Sequence, residues 1–312
     1  MMEIGLVGLG RMGKNMVLRL LAGGHRVVAH DKSPTPLAEV AAKGAVAANE
    51  LADLVAELAP PRVVWLMLPA GAITEQVLGE LAPLLARGDV LVDGGNSYYK
   101  DSRRRAEELA KRGLMLLDAG TSGGIWGLEV GYCLMVGGDQ AAFERVRPAL
   151  ATLAPPDGYL YVGGPGAGHF IKMVHNGIEY GMMQAYAEGF ELIRASDYHP
   201  DLGQVAHLWN QGSVVRSWLL ELAERALRAD PELATVDDYV EDSGEGRWTV
   251  IESIERAVPL PVMTLALQMR FRSRQSESFA GKMLAALRRE FGGHAVRPAE
   301  AGNGGKGKGK SR

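Results

Sequence analysis

Near the start of the chain an apolar run, EIGLV at 3–7, passes through GLGRMG into the amphipathic segment KNMVLRLLAGG. The order is strand, glycine turn, helix, with Gly8, Gly10 and Gly13 in GxGxxG spacing. Each glycine has its own mechanical use: a tight turn, close backbone approach to a pyrophosphate, and close helix–strand packing. The turn and helix start, Gly8, Leu9, Gly10, Arg11, Met12 and Gly13, offer unpaired N–H groups and a positive dipole end to phosphates. Alone, GxGxxG is weak, and a glycine turn without a ligand is the alternative. Here a second strand, HRVVAH, follows and ends at Asp31, 18 residues after Gly13. That is close to the expected place of an acid that binds the adenosine ribose hydroxyls. A carboxylate there accepts from a ribose diol and repels a 2′-phosphate, so NAD is favoured over NADP, with Lys32 and Ser33 softening the rejection.

The alternation continues. Strands are expected at 63–68 (VVWLML), 90–93 (VLVD), 114–118 (LMLLD), 133–137 and 159–162, with helices at 72–85, 97–112 and 139–153. Repeated strand–helix units imply a Rossmann-type, doubly wound α/β sheet, whose ligands bind outside the strand C-termini. Three loops fall at that edge. Leu68, Pro69 and Ala70 form a small loop suited to passing a nicotinamide or ribose. Asn96 follows a strand in DGGNS, where a plain turn with Ser97 as helix cap is the other reading. DAGTSGG, read as a loop over 118–124, presents Ser122, Gly123 and Gly124, with N–H groups for a carboxylate or hydroxyl. A merely flexible loop is the alternative. GGPGAG at 163–168 marks a boundary. The expected domains are 1–163 for NAD(P) binding, 164–295 all-α for substrate and dimerisation, and 296–312 as a disordered Gly/Lys tail.

A long apolar helix is expected over 166–191, carrying Lys172, His175, Asn176, Glu179 and Tyr180. At about 100° per residue, Asn176, Glu179 and Tyr180 lie about +40°, −20° and +80° from Lys172. A lysine and a carboxylate on one arc, flanked by Phe170, Ile171, Met173, Val174 and Ile178, point to a buried face with acid–base chemistry. A structural salt bridge is the plainer reading.

Composition excludes several classes. A net charge of −3 leaves no footprint for nucleic acid or an anionic membrane. The single cysteine, Cys133, rules out an internal disulfide and makes the cytoplasm the default compartment. Lying in CLMV, it is expected to be a buried core thiol. No signal peptide, membrane span, HExxH or clustered carboxylate is evident, so neither a membrane partner nor a metal is expected.

Taken together, GLGRMGKNM, DGGNS, TSGG, GHFIKMVHNGIEYG and RWT resemble the decarboxylating 6-phosphogluconate dehydrogenases. The length matches their short-chain, NAD-preferring branch within the β-hydroxyacid dehydrogenase superfamily. The resemblance covers about residues 2–295, and HNGIEYG after a lysine is its most specific part. It implies Lys172 as catalytic base and Glu179 as acid. Asn96, Ser122, Gly123, Gly124, His175 and Asn176 would hold the sugar carboxylate and hydroxyls. Tyr180, Arg270 and Arg288 would take the phosphate, with Arg272 and Arg274 as neighbouring candidates. RREFGGH, ending at His294, is similar to a tail motif that enters the neighbouring subunit's site, implying a dimer or tetramer. Two departures stand out: Ser243 occupies the place of a long-chain lysine, with Arg247 a possible substitute, and His30, Asp31 and Lys32 replace residues that bind NADP. A non-decarboxylating β-hydroxyacid dehydrogenase of the 3-hydroxyisobutyrate type is the other enzyme reading, and a catalytically silent nucleotide-binding regulator the non-enzyme one.

Overall fold

A computed structural model describes residues 1–298, so most of the Gly/Lys tail, 299–312, lies outside the described residues. The first part alternates as expected: β1 (Glu3–Val7), α1 (Arg11–Ala22), β2 (Arg26–His30), α2 (Pro34–Ala41), β3 (Val46–Ala47), α3 (Leu51–Ala56), β4 (Val63–Leu66), α4 (Ala72–Leu81), β5 (Val90–Asp93) and α5 (Tyr99–Ala110). Next come β6 (Met115–Ser122), a 3-10 turn (Gly124–Trp126), α6 (Gly127–Val130), β7 (Cys133–Gly138), α7 (Gln140–Leu153) and β8 (Tyr159–Gly163). The helical part comprises α8 (Ala167–Arg194), α9 (Leu202–Asn210), α10 (Trp218–Ala229), α11 (Gly244–Glu255), α12 (Pro261–Ser273) and α13 (Phe279–Gly292).

One sheet runs β3-β2-β1-β4-β5-β6-β7-β8. Its pairs are parallel except β6 with β7. Strand order reverses between β1 and β4, which opens a crevice at their C-terminal ends. Side chains alternate across the pleat, so Ile4 and Leu6 join one buried layer with Met16, Trp65 and Val146, while Val7 joins the other with Leu54, Leu66 and Leu91. The run 118–124, read from its glycines as a loop, is mostly strand. β7 folds back antiparallel and pairs Leu117 through Ser122, supplying backbone partners that local sequence does not reveal.

The long helix α8, at 28 residues, starts directly on the sheet. No side chain separates them: a Cβ on Gly168 would lie 2.2 Å from Asp118 O, and one on Gly120 would lie 2.4 Å from Lys172 Cβ. Asp118 closes the joint, its carboxylate accepting from the N–H groups of Gly166 at 2.7 Å and His169 at 2.9 Å. Two orphan donors of the helix start are thereby satisfied. Burial pushes the Asp118 carboxyl up, against the opposing influence of His169 and both N–H groups.

α11 crosses α8 closely at Gly177, where a Cβ would lie 2.8 Å from Thr249 Cγ2. Thr249 also donates to Met173 O at 2.8 Å. Trp248 of RWT stacks on Tyr98 with centroids 4.9 Å apart, and Tyr99 donates to Glu252 at 2.7 Å, joining α5 to the helical part. Gly168→Ala is expected to cost roughly 1–3 kcal/mol through overpacking, read as a lowered urea midpoint with an unchanged slope. A wild-type midpoint would contradict this docking.

Candidate active site

The crevice joins the glycine turn to the exposed face of α8. Gly8 takes φ +94, and a Cβ there would lie 2.4 Å from Met67 O; one on Gly13 would lie 1.9 Å from Gly8 O. Gly10, by contrast, faces open space, with nothing within 4 Å of an added Cβ. The first turn of α1 holds no acidic residue. An uncovered glycine at a helix start free of negative charge suits a pyrophosphate. Asp31 sits beside it and accepts from Leu9 N at 2.6 Å and Ser33 N at 2.7 Å. Its two oxygens keep lone pairs for ribose hydroxyls. Lys32 and Arg11 are exposed, while Met12 is half-buried. Leu68 is half-buried and Pro69 and Ala70 are exposed.

Asn96 bridges the next two strands. Its Nδ2 donates to Thr121 O at 3.1 Å and its Oδ1 accepts from Thr121 N at 2.9 Å. The residue before Ser122 is thus held to the end of β5. Ser122 Oγ lies 3.4 Å from His175 Nε2, so the SGG segment and α8 meet.

His175 is the hub of the α8 face. Its Nδ1 lies 3.3 Å from Lys172 Nζ, 3.1 Å from Asn176 Oδ1 and 3.8 Å from Glu179 Oε2. Nδ1 donates to Asn176 in one tautomer and accepts from a protonated Lys172 in the other, which couples the lysine's proton to the imidazole. Burial pushes the Lys172 ammonium down from the usual lysine range, opposed by Glu179, Glu245 and Cys133. Burial, then Lys172, pushes His175 down as well, while Asn176 and Glu179 oppose. Lys172 is only 5% exposed, yet the side chains of His175 and Glu179 are 38% and 39% exposed, so the buried amine meets an open cleft. A lysine whose ammonium form is disfavoured by burial, beside a solvent-reachable carboxylate, is an arrangement suited to acid–base work.

Tyr180 marks the far end. Its hydroxyl accepts from Ser243 N at 2.7 Å and lies 2.9 Å from Ser243 Oγ. The Arg270 guanidinium stacks on its ring, 3.5 Å from the centroid, and donates to Glu241 O at 2.8 Å. The neighbouring arginines are engaged elsewhere: Arg274 pairs with Asp242 at 2.5 Å, and Arg272 donates to Gln275 O at 2.8 Å. Arg247 also pairs with Asp242, at 2.5 Å. Arg288 and His294 are exposed and belong to α13 and the segment after it, where nearly every described side chain is exposed.

Cys133 corrects an expectation. It is exposed, not a core thiol. It is the first residue of β7, registered opposite Ser122, so it lies at the crevice edge beyond the packed stretch of the strand. The apolar letters LMV that follow it describe the core, and only the antiparallel return shows where the run leaves it. Glu245, in the first turn of α11, was also missed, because its proximity to Lys172 depends on the α8–α11 crossing. Among the described residues no group of three or more His, Cys, Asp or Glu could hold a metal ion, and no helix is long and apolar enough to cross a membrane.

Residues 3–163 match the NAD binding domain of 6-phosphogluconate dehydrogenase, and 168–300 its C-terminal domain. A putative 6-phosphogluconate dehydrogenase, YqeC, of Bacillus subtilis is 46% identical over 95% of this chain and 99% of its own. The NAD(+)-dependent, decarboxylating 6-phosphogluconate dehydrogenase of Haloferax volcanii is 47% identical over 95% of this chain and 98% of its own. Among solved structures, Plasmodium falciparum 6-phosphogluconate dehydrogenase, described in apo form and with NADP+ or 6-phosphogluconate, superposes with a TM-score of 0.81. It is 28% identical and covers 96% of this chain and 67% of its own. With a dinucleotide crevice at one end and a buried lysine at the other, this chain is an NAD(P)-dependent oxidoreductase that belongs to the 6-phosphogluconate dehydrogenase family.

Proposed function

We propose that the protein oxidatively decarboxylates 6-phospho-D-gluconate to D-ribulose 5-phosphate and CO2, with NAD preferred over NADP. The observation that carries this reading is the buried Lys172 amine, held within one α8 face beside His175 and Glu179, where burial disfavours its ammonium form. The dinucleotide, seated by the 8–13 turn and Asp31, supplies a hydride acceptor. Neutral Lys172 takes the C3 hydroxyl proton as the C3–H hydride departs, leaving a 3-keto acid. Protonated Lys172 then hydrogen-bonds the new carbonyl, which accepts the electron pair released as the carboxylate leaves as CO2. Glu179 delivers a proton to C1 of the resulting enediol while Lys172 takes back the proton of the enol hydroxyl, completing the pentose. Asn96, Ser122, Gly123, Gly124, His175 and Asn176 hold the carboxylate and hydroxyls.

Tyr180 and Arg270 receive the phosphate. The stack of Arg270 on the Tyr180 ring favours it over Arg272 and Arg274. Arg288 and His294 reach the site of a second subunit. The exposed Phe279, Met283, Leu284 and Leu287 of α13 support that association, as an uncovered apolar helix face is poorly suited to water.

Purified protein with 6-phosphogluconate and NAD is expected to form reduced cofactor and CO2 in equal amounts, faster than with NADP. Reduced cofactor without CO2, or activity only on unphosphorylated hydroxy acids, would move the protein to the 3-hydroxyisobutyrate type. Lys172→Met should lower turnover by roughly 10²–10⁴-fold with NAD binding intact. Because Glu179 raises the Lys172 pKa, the acid limb of the residual Glu179→Gln activity should shift to lower pH. A limb that stays in place would remove Lys172 as the titrating base. Deleting residues 286–312 should raise the substrate KM several-fold; unchanged kinetics would exclude a shared site.

A further inference from the structure

Two loops leave the sheet beside the crevice, 67–71 after β4 and 94–97 after β5. One buried side chain holds both. Arg105 of α5 is 3% exposed. Its Nη1 donates to Asp93 Oδ2 and Ser97 Oγ, each at 3.2 Å, its Nε to Glu75 Oε2 at 2.6 Å, and its Nη2 to Gly71 O at 3.4 Å. A single guanidinium thus ties together the end of β5, the loop after it, the loop after β4 and the first turn of α4. Asp93, fully buried, is shared by the same network: it accepts from Ser97 Oγ at 2.7 Å and Gly95 N at 3.0 Å. The loops also touch backbone to backbone, since a Cβ on Gly95 would lie 2.2 Å from Leu68 O. Thr74 fixes the other loop by donating to Pro69 O at 2.9 Å.

Asn96 lies between these loops and β6, with a left-handed φ of 52° that asparagine tolerates better than most non-glycine residues. That conformation presents its carboxamide to both backbone groups of Thr121. A purely structural ion pair would need only Asp93 or Glu75. Arg105 instead uses its planar fork on both loops at once, which a lysine's point charge cannot reproduce.

We infer that Arg105 is a positioning residue: through Asp93, Ser97 and Gly71 it sets the spacing of the 67–71 and 94–97 loops, and with it the seat of the nicotinamide half of the cofactor. This rests on the proposed reading of the crevice. Among the described residues no hydrogen bond joins the 8–13 turn or Asp31 to the Arg105 network, and the turn meets the 67–71 loop only by packing at Met67 and Leu68, so the adenosine half should respond less than the nicotinamide half when Arg105 is loosened.

The test is calorimetric titration of Arg105→Lys and Glu75→Gln with NAD and with ADP-ribose. Turnover and the primary deuterium isotope effect are measured alongside, on whichever hydroxy acid the wild-type protein oxidises. ADP-ribose affinity should hold while NAD binds several-fold more weakly. Turnover should fall roughly 10–100-fold in Arg105→Lys, and less in Glu75→Gln, as misplacement near 1 Å does. The isotope effect should rise as hydride transfer becomes limiting. Parallel loss of NAD and ADP-ribose affinity, or wild-type turnover in folded Arg105→Lys, overturns the inference. Glu75, with a side chain 41% exposed, tolerates replacement if Arg105→Lys does not fold. Unchanged NAD affinity and isotope effect in Glu75→Gln then overturn it. Wild-type products judge the proposed reaction separately: a substrate without phosphate removes that reading and leaves the Arg105 test standing.

Discussion

The direct seating of α8 on β6 and β7 governs the rest of the structure. Gly120 and Gly168 remove the side chains that would hold helix and sheet apart, and Asp118 binds the free N–H groups at the helix start. Lys172 lies one turn further on, so its depth is set by this joint. A methyl group at Gly168 would lift the whole helix, because close-packed interiors transmit strain instead of absorbing it. The position of the amine relative to the dinucleotide crevice is therefore a consequence of backbone contact, not of any bond the lysine makes.

Burial then decides the chemistry of the amine. Among the described residues Lys172 loses hydration with a long 3.3 Å contact to His175 as its hydrogen bond in return, and its ammonium form is disfavoured. Glu179 and Glu245 pull the other way from α8 and α11. Burial and these two carboxylates therefore act on the amine in opposite directions, with burial the larger influence. His175 lies between Lys172, Asn176 and Ser122, and its Nδ1 serves only one partner role per tautomer.

The helical part is fastened to the sheet by side chains of mixed character. Trp248 on Tyr98, Tyr99 on Glu252 and Thr249 on Met173 O hold α11 against α5 and α8. The Tyr180–Arg270 stack and the two arginines on Asp242 order the 240–243 loop at the far end of the crevice. α13 stands apart from this fastening, with Phe279 75% exposed, so the described chain does not itself cover that face.

The dinucleotide crevice was legible in the sequence because its requirements are local: GxGxxG spacing, a following helix, and an acid at the next strand end all lie within 31 residues. The shared arc of Lys172, Asn176, Glu179 and Tyr180 was legible for the same reason, since helical periodicity places side chains without knowledge of the rest. Other features depended on partners distant in sequence. β7 turns TSGG into strand and brings Cys133 to the crevice edge. Helix crossing brings Glu245 to Lys172, the 240–243 loop engages Arg274 and leaves Arg270 on Tyr180, and Arg105 gathers two loops beneath Asn96. Periodicity and turn chemistry are written into neighbouring residues, whereas burial, pairing and charge proximity arise only when segments far apart in the chain share the same space.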